Sequence, residues 1–367
     1  MKSRKILLVG GGTAGHIDPA LAIGDWLSKN SSQLDIDFLG TKSGMEQRLV
    51  PAAGFKLKTL NKIQFPRKLN LKALFFPFNF FIALVRALWI IRKYQVVVGF
   101  GGYVSAPAYI AGKLLGKKLI IHEANAKPGW ANKLGKALTE LVYVGLPIKD
   151  HDWKSYPVIG IPLKEEFINF FSLDAANRKS KAEEYLKSLG LDSNKKTILI
   201  VGGSLGSQKI NKLAEELIDF CQENSYQIIH SFGKNGDCNS DLSKGYYATD
   251  YINQIYLAIN CADLIISRSG AVTCAQIAVA NKPAILLPLS IGNGEQAENA
   301  KYLSDIGVGD LILDEELNLK DLKGKIREKI VSKSSESTVN VDAKALNHLE
   351  AVAKLGKVIM NQVLDSN

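Results

Sequence analysis

The sequence predicts an α/β protein built from two Rossmann-like domains that face each other across a cleft. Two glycine-rich loops are the main observation: ILLVGGGTAG at 6–15 and ILIVGGSLGS at 198–207 each pass into a helical pattern. A strand that ends in such a loop opens a doubly wound α/β unit, whose loop N–H groups can hold an anion. The length of 367 residues also suits two domains. Because neither loop completes the G-x-G-x-x-G pattern, the sequence disfavours a dehydrogenase.

The first half of the chain alternates short apolar runs with helical patterns, which predicts a mostly parallel sheet. The expected strands are 6–10, 36–39, 96–100 and 119–122, and the expected helices are 19–29 and 44–53. We interpret 158–163 as the crossing into the second domain.

The second half repeats this organisation after a charged helix at 175–189. Its first strand begins at Thr197, and further strands are expected at 227–231, 264–267 and 284–288. A serine-rich linker at 332–337 precedes a last helix at 343–363, which carries an apolar stripe. The predicted domains are therefore 1–160, completed by the C-terminal helix at 343–367, and 161–342.

The composition narrows the class of protein. Hydrophobic residues make up 46% and charged residues 22% of the chain, which is typical of a folded, soluble protein. No pair of the four cysteines has C-x-x-C spacing, so neither a zinc site nor a disulfide is expected. The N-terminal MKSRK runs directly into the first strand, and we predict no signal peptide. The net charge of +10 indicates an anionic partner without choosing between nucleic acid, nucleotide-sugar and acidic lipid.

A phenylalanine-rich segment at 62–93 interrupts the α/β pattern. It is too short and too broken, by Pro77 and Asn79, to span a bilayer. Aromatic residues with basic flanks favour a helix lying among lipid headgroups, the alternative being an ordinary core helix. The aromatic residues are Phe75, Phe76, Phe78, Phe80, Phe81 and Trp89, and the basic flanks are Arg67, Lys68, Lys72, Arg86, Arg92 and Lys93. Leu84, Leu88 and Ile91 are expected in the core.

His16 is the candidate catalytic residue of the first domain. It follows the first glycine loop, where a strand-to-helix turn reaches the carboxyl edge of the sheet. A histidine there can act as a general base near neutral pH, the alternative being a purely structural role in the loop. Two further polar stretches, 101–107 and 122–132, also follow predicted strands. Their Tyr103, Ser105, Glu123, Asn125 and Asn132 are candidates for binding a hydroxyl-rich ligand, and His122 is either a ligand contact or a buried residue.

In the second domain, three turns are suited to a nucleoside diphosphate. The loop at 202–207 offers N–H groups and the Ser204 hydroxyl to a phosphate. The turn Ser269-Gly270-Ala271 lets a diphosphate approach the backbone, Arg268 adds charge nearby, and Gln276 lies one helical turn further on. The turn at 292–299 supplies Glu295, Gln296 and Asn299 for sugar hydroxyls. The alternative for each of them is a plain surface turn. No D-x-D stands at a strand end, so we predict no metal site.

At these residues the chain resembles the MurG family of peptidoglycan glycosyltransferases, which add N-acetylglucosamine to lipid I. The resemblance covers nearly the whole chain through GGTAGHIDPALA, GGYVSAP, HEAN-x-x-PG-x-x-N, GGSLGS-x-x-IN, SRSGAVT and GNGEQ-x-x-NA. It implies a GT-B fold whose C-terminal helix returns to the N-terminal domain. It also implies an inverting transfer, without metal or other cofactor, from UDP-N-acetylglucosamine to the 4-hydroxyl of the muramyl sugar of lipid I, giving lipid II and UDP.

The resemblance assigns roles to individual residues. His16 becomes the base or acceptor-positioning group. The acceptor-binding residues are Thr13, Ala14, Gly15, Tyr103 and Ser105. The donor-binding residues are Asn125, Lys164, Ser204, Ser269, Gly270, Ala271, Val272, Gln276, Glu295, Gln296 and Asn299. The chain departs from the family where Gln276 replaces a usual Glu at the ribose, and Lys164 a usual Arg beside the uracil. Leu205, Ala124 and Ala14 are further departures, and together the changes predict weaker donor binding.

The expected partners are UDP-N-acetylglucosamine, lipid I and the anionic inner leaflet, with other cell-wall or division proteins as further candidates and no nucleic acid. The expected location is the cytoplasmic face of the cell membrane, as a peripheral protein. Three alternatives remain open: a transferase of the same architecture with another lipid acceptor such as diacylglycerol, a UDP-sugar epimerase, and a scaffold that binds lipid I without catalysis.

Overall fold

The computed structural model describes residues 4–61, 71–234, 236–290, 293–332 and 347–364. The chain divides into two compact units. The first unit comprises Met1–Lys164 and Leu346–Asn367, and the second comprises Glu165–Ala345. Each unit contains one six-stranded sheet.

The sheet of the first unit is entirely parallel, with the strand order β3-β2-β1-β4-β5-β6. Its central strands are continuous apolar runs because helices cover both faces of a parallel sheet. The strands are β1 (Arg4–Val9), β2 (Leu34–Thr41), β3 (Lys56–Leu60), β4 (Val96–Gly99), β5 (Lys118–Glu123) and β6 (Val142–Val144).

The sheet of the second unit repeats the same topology, with the order β12-β11-β10-β7-β8-β9. The strand order reverses between β1 and β4 in the first unit and between β7 and β10 in the second, and ligands bind at such switch points. The strands are β7 (Lys196–Val201), β8 (Tyr226–Ser231), β9 (Tyr246–Thr249), β10 (Leu264–Ser267), β11 (Ala284–Leu286) and β12 (Gly309–Leu311).

Helices follow the strands along the chain in both units. In the first unit they are α1 (Ala14–Asn30), α2 (Glu46–Ala52), α3 (Leu71–Ile91), α4 (Ser105–Leu114) and α5 (Trp130–Lys136). In the second unit they are α6 (Glu165–Phe171), α7 (Ala175–Ser188), α8 (Gln208–Glu216), α9 (Ile218–Glu223), α10 (Ile255–Cys261), α11 (Ala271–Ala280), α12 (Glu295–Asp305) and α13 (Leu319–Ser332). The chain then returns to the first unit as α14 (Ala351–Leu364).

The C-terminal helix packs on α1, as the fold prediction requires. Gly356 lies directly against the ring of Trp26, at a position without room for a side chain. The sequence predicts helix from 343 onward, and this prediction is wrong at 347–350, which form a turn. Asn347 in this turn has a φ of +52°. Residues 343–346 lie outside the described residues, as does the predicted linker from 333 onward. The predicted start of α1 at 19 is also wrong, because the helix begins at Ala14.

Helix α3 divides the phenylalanine-rich segment into two faces. Ala83, Ala87 and Ile91 are buried, and Phe80, Leu84 and Leu88 pack partly buried against the same core. The opposite face exposes the apolar residues Phe75, Phe78, Phe81, Ile82, Val85 and Trp89. Arg67 and Lys68 lie outside the described residues. Among the helices that the structure describes, none is both long enough and apolar enough to cross a membrane.

Candidate functional site

The first glycine loop joins β1 to α1 at the switch point of its sheet. Thr13 has an extended backbone and caps α1, whose N–H groups at His16 and Ile17 bond to the Thr13 carbonyl. The hydroxyl of Thr13 also lies 3.2 Å from Nδ1 of His16. The loop thereby fixes the half-buried imidazole of His16 at the first turn of the helix.

Loops from three strands meet around His16. Gly101, which follows β4, has a φ of +96°, and a Cβ atom there would lie 3.2 Å from His16 Nε2 and 3.3 Å from Asn132 Nδ2. Its neighbour Gly102 approaches the first loop so closely that a Cβ atom would lie 2.5 Å from the Gly11 carbonyl oxygen. Glycine at these two positions therefore permits the loops after β1, β4 and β5 to pack against one another.

Tyr103 and Ser105, both predicted to bind the acceptor, lie in different environments. Tyr103 is exposed at the loop surface. Ser105 is fully buried, and its hydroxyl donates a 2.7 Å hydrogen bond to the Gly101 carbonyl. Ser105 therefore stabilises the loop next to His16 through its hydrogen bond to the Gly101 carbonyl.

A buried carboxylate organises the loop after β5. Glu123 accepts hydrogen bonds from the backbone N–H and the side-chain amide of Asn125, from the Gly129 N–H at 2.9 Å and from Asn132 Nδ2 at 3.0 Å. The carbonyl oxygen of the Asn132 side chain in turn accepts from Tyr109 at 2.7 Å. Since a buried carboxylate requires such donors, this network defines the conformation of 123–132.

The structure resolves the two interpretations of His122 in favour of a buried residue. Its side chain is fully buried, and Nε2 lies 2.9 Å from the Gly160 carbonyl oxygen. Burial lowers the pKa of His122 to about 4, so the imidazole is neutral at physiological pH.

In the second unit, Arg268 lies behind the glycine loop that joins β7 to α8. Its guanidinium donates to the Leu287 carbonyl at 2.8 Å, to Asp314 Oδ1 at 3.1 Å and to the Ser207 hydroxyl at 3.0 Å. Ser207 caps α8 by accepting from the Ile210 N–H. Arg268 therefore supports the loop from within, and Asp314 compensates its charge.

Two predicted donor residues connect the turn before α11 to the start of α12. The hydroxyl of Ser269 donates to the Gln296 carbonyl at 2.7 Å, and the Asn299 side chain donates to the Ser269 carbonyl at 3.1 Å. Both Ser269 and Asn299 are fully buried. Side-chain Oε1 of Gln296 accepts from the Leu289 N–H at 3.0 Å. Glu295 Oε2 accepts from the Asn293 N–H at 3.1 Å.

Helix α11 presents its N-terminus at the end of β10. Gly270 is its extended cap residue, and no acidic residue occupies the first turn. The partial positive charge of this helix end favours an anion such as a diphosphate. Val272 and Gln276 are half-buried and separated by four residues, so both lie on one face of α11. The predicted phosphate and ribose positions therefore share one helical face.

Lys164 forms an ion pair with Asp18 of α1, with 3.4 Å between Nζ and Oδ1. Burial raises the pKa of Asp18, and the nearby Lys164 ammonium counteracts part of that rise. This predicted donor residue therefore belongs to the first unit, and its ion-pair partner Asp18 lies two residues after His16 in α1. Within the described residues, no group of three or more His, Cys, Asp or Glu side chains is arranged to hold a metal ion.

Models of known families match both halves of the chain. The Glycosyltransferase family 28 N-terminal domain matches residues 6–144, and the Glycosyltransferase family 28 C-terminal domain matches residues 197–355.

Two relatives of similar sequence share one name. A relative from Corynebacterium glutamicum (strain R) is 39% identical over 87% of each chain, and one from Corynebacterium diphtheriae is 36% identical over 99% of this chain and 98% of its own. Both are named UDP-N-acetylglucosamine--N-acetylmuramyl-(pentapeptide) pyrophosphoryl-undecaprenol N-acetylglucosamine transferase.

Solved structures share the fold. MurG of Acinetobacter baumannii has a TM-score of 0.71 and 24% identity, covering 98% of this chain and 99% of its own. The calicheamicin glycosyltransferase CalG4 has a TM-score of 0.67 and 13% identity, covering 99% of each chain. At these identities the likeness concerns the fold, and it agrees with the predicted GT-B architecture.

Proposed function

Because the chain belongs to glycosyltransferase family 28, we propose that it transfers N-acetylglucosamine from UDP-N-acetylglucosamine to the N-acetylmuramyl-pentapeptide of lipid I. The products are lipid II and UDP. The observation that carries this proposal is the similarity, along almost the whole chain, to transferases named for this reaction. The motifs that suggested the family lie on the loops after β1, β4, β5, β7 and β10, where α/β proteins bind ligands.

The donor is assigned to the second unit. We propose that the loop with Ser204 and the N-terminus of α11, at Ala271 and Val272, bind the diphosphate through backbone N–H groups. Gln276 binds the ribose from the same helical face. Glu295 and Gln296 bind the sugar. The resemblance adds Asn125 as a contact of the sugar and Lys164 as a contact of the uracil, and both are residues of the first unit. Ser269 and Asn299 hold this site in shape through their buried hydrogen bonds.

The acceptor is assigned to the first glycine loop, with His16 as the general base. When His16 donates its Nδ1–H to the Thr13 hydroxyl, Nε2 carries the lone pair that receives the proton of the acceptor hydroxyl. The acceptor oxygen then bonds to the anomeric carbon while the bond from that carbon to UDP breaks, and UDP leaves with the electron pair. The N-terminus of α11 stabilises the charge on the departing diphosphate, and no metal or other cofactor is required.

The exposed face of α3 is assigned to the membrane surface, at the cytoplasmic face of the cell membrane. Phe78 and Trp89 are 64% and 61% exposed, and the basic residues Arg92 and Lys93 lie within 5.3 Å of the Trp89 ring centre. An apolar face with cations at its end suits a helix lying among anionic headgroups. Phe76 and Phe80, whose ring centres are 5.8 Å apart, are only partly exposed, so we assign docking mainly to the other aromatic residues.

The experiment is a UDP-release assay with UDP-N-acetylglucosamine and a short-chain lipid I analogue, in detergent with and without EDTA. We expect release that requires the analogue and survives EDTA. Release without an acceptor would favour an epimerase or hydrolase. Donor binding without release would point to another lipid acceptor, and loss of both would favour a lipid I-binding scaffold.

A further inference from the structure

A fully buried carboxylate lies beneath the first glycine loop. Glu46, the first residue of α2, accepts hydrogen bonds at Oε1 from the backbone N–H and the hydroxyl of Thr41, both at 2.6 Å. Its other oxygen, Oε2, accepts from the Gly12 N–H at 3.2 Å. The carboxylate of Glu46 thus connects the end of β2 to Gly12 in the first glycine loop, which lies 34 residues before Glu46 in the chain.

The surrounding chain is shaped to admit this side chain. A Cβ atom at Gly11 would lie 2.7 Å from Glu46 Oε1, and one at Gly40 would lie 2.5 Å from Glu46 Cγ. A Cβ atom at Gly44 would overlap the carboxylate itself. Burying a carboxylate is costly unless donors compensate its charge. The two hydrogen bonds from Thr41 provide part of this compensation and connect only β2 and α2. The hydrogen bond from Gly12 is not needed to join those two elements, and it reaches a different loop.

The hydrogen bond between Gly12 and Glu46 constrains the neighbouring residues that are assigned to acceptor binding. Gly12 has a φ of +91° and directly precedes Thr13, whose hydroxyl contacts His16. An inward-pointing Gly12 N–H fixes the direction in which the chain enters α1. A 1 Å misplacement of a catalytic group is sufficient to reduce a rate about 100-fold.

We propose that Glu46 is a positioning residue for the transfer reaction: it anchors the Gly12 amide from inside the fold and thereby sets the geometry of Thr13 and His16 for the acceptor. The inference rests on the proposed function, because it assigns Glu46 to the acceptor loop of that reaction. It also specifies that the Gly12 N–H is directed to Glu46 and not to the bound acceptor.

The test variant is Glu46→Gln, which retains the shape of the side chain. Its amide oxygen can still accept both bonds from Thr41, but its NH2 group then faces the Gly12 N–H as a second donor. The matched control is Thr41→Val, which removes the hydroxyl bond to the same carboxylate and leaves the Gly12 bond in place. We expect Glu46→Gln to lower kcat/KM for the lipid I analogue by about 10-fold to 100-fold. Thr41→Val should retain most of the activity, and both variants should bind UDP with the wild-type Kd.

A double-mutant cycle separates positioning from general stability. If Glu46 acts through His16, Glu46→Gln should cost much less activity in a His16→Ala background than in the wild type. Equal losses in the two backgrounds, or equal losses in Glu46→Gln and Thr41→Val, would overturn the proposal.

Amide hydrogen exchange tests the anchor without reference to activity or to any variant. In the wild-type protein, the Gly12 N–H should exchange more slowly than the Thr13 N–H, although both residues are exposed. A Gly12 amide that exchanges as fast as Thr13 would reject the anchor even if Glu46→Gln failed to fold. If the wild type shows a protected Gly12 but transfers no sugar, the proposed function fails while the anchor stands.

Discussion

His122 and His348 bind the two sides of a single peptide group. His122 Nε2 lies 2.9 Å from the carbonyl oxygen of Gly160, and His348 Nδ1 accepts from the N–H of Ile161 at 2.9 Å. Both imidazoles are fully buried in the first unit. The end of β5, the segment before Lys164 and the turn before α14 are therefore fastened at one point.

This pair makes the stability of the first unit dependent on pH. Burial lowers the pKa of His122 to about 4 and that of His348 to about 3, whereas both titrate near 6.5 when unfolded. Below pH 6.5 the unfolded state therefore binds more protons, and the free energy of unfolding falls as the pH falls toward 4. The loss reaches about 1.4 kcal/mol per pH unit for each histidine.

Tryptophan fluorescence can follow this transition, because all four tryptophans belong to the first unit: Trp26, Trp89, Trp130 and Trp153. Urea titrations at several values between pH 7.5 and 5 should show a decreasing free energy of unfolding. The variant His348→Asn should show a shallower slope, and the matched control His151→Gln, at an exposed position, should keep the wild-type slope. A slope unaffected by His348→Asn would contradict this account.

His16→Ala is expected to lower kcat by about 100-fold to 10,000-fold, the range for loss of a general base. The Kd for UDP should stay at the wild-type value, because His16 is assigned to the acceptor. Steady-state kinetics with the lipid I analogue and calorimetry with UDP measure the two quantities. Thr13→Val should cause a smaller loss, since it removes only the 3.2 Å contact to Nδ1. Near-normal turnover in His16→Ala would remove this residue from the mechanism.

Gln276→Glu is expected to tighten UDP-N-acetylglucosamine binding. A carboxylate accepts a charge-assisted hydrogen bond from a ribose hydroxyl, and such bonds are about twice as strong as neutral ones. We expect the Kd measured by calorimetry to fall by about 3-fold to 10-fold. Gln276→Ala, the control, should weaken binding. No gain in Gln276→Glu would show that this side chain does not bind the ribose.

The sequence identifies the central strands of both sheets but not their edges. The strands absent from the sequence analysis are β3, β6, β9 and β12, and each stands at an edge. The central strands are buried on both faces and read as continuous apolar runs, as in Val96–Gly99. An edge strand such as KLKTL at Lys56–Leu60 alternates between exposed and half-buried positions, with only Leu60 buried, and carries a weaker apolar signal. Short, polar edges are typical because they discourage association between sheets.

For the site, the motifs locate the loops but do not give the direction of each side chain. Ser105 and Ser269 belong to predicted binding motifs, yet both hydroxyls point inward to carbonyl groups. Glu46 carries no local signal, because its partner Gly12 is 34 residues away and the two meet only when β1 and β2 pair.

The exposed face of α3 leads to a prediction about membrane binding. Phe78 and Phe81 are 64% and 62% exposed, and transferring such side chains from water into the headgroup region is favourable. We expect Phe78→Ser/Phe81→Ser to reduce binding to phosphatidylglycerol-containing vesicles about 10-fold or more in a sedimentation assay. Leu242→Ser, which changes a 49% exposed residue of the second unit, is the matched control and should bind as the wild type does. Since UDP is assigned to the second unit, its Kd should be the same in all three proteins. Binding should also weaken with added salt, because Arg86, Arg92 and Lys93 are exposed and attract anionic lipid. Wild-type vesicle binding by the double variant would show that the apolar face of α3 does not contact the membrane.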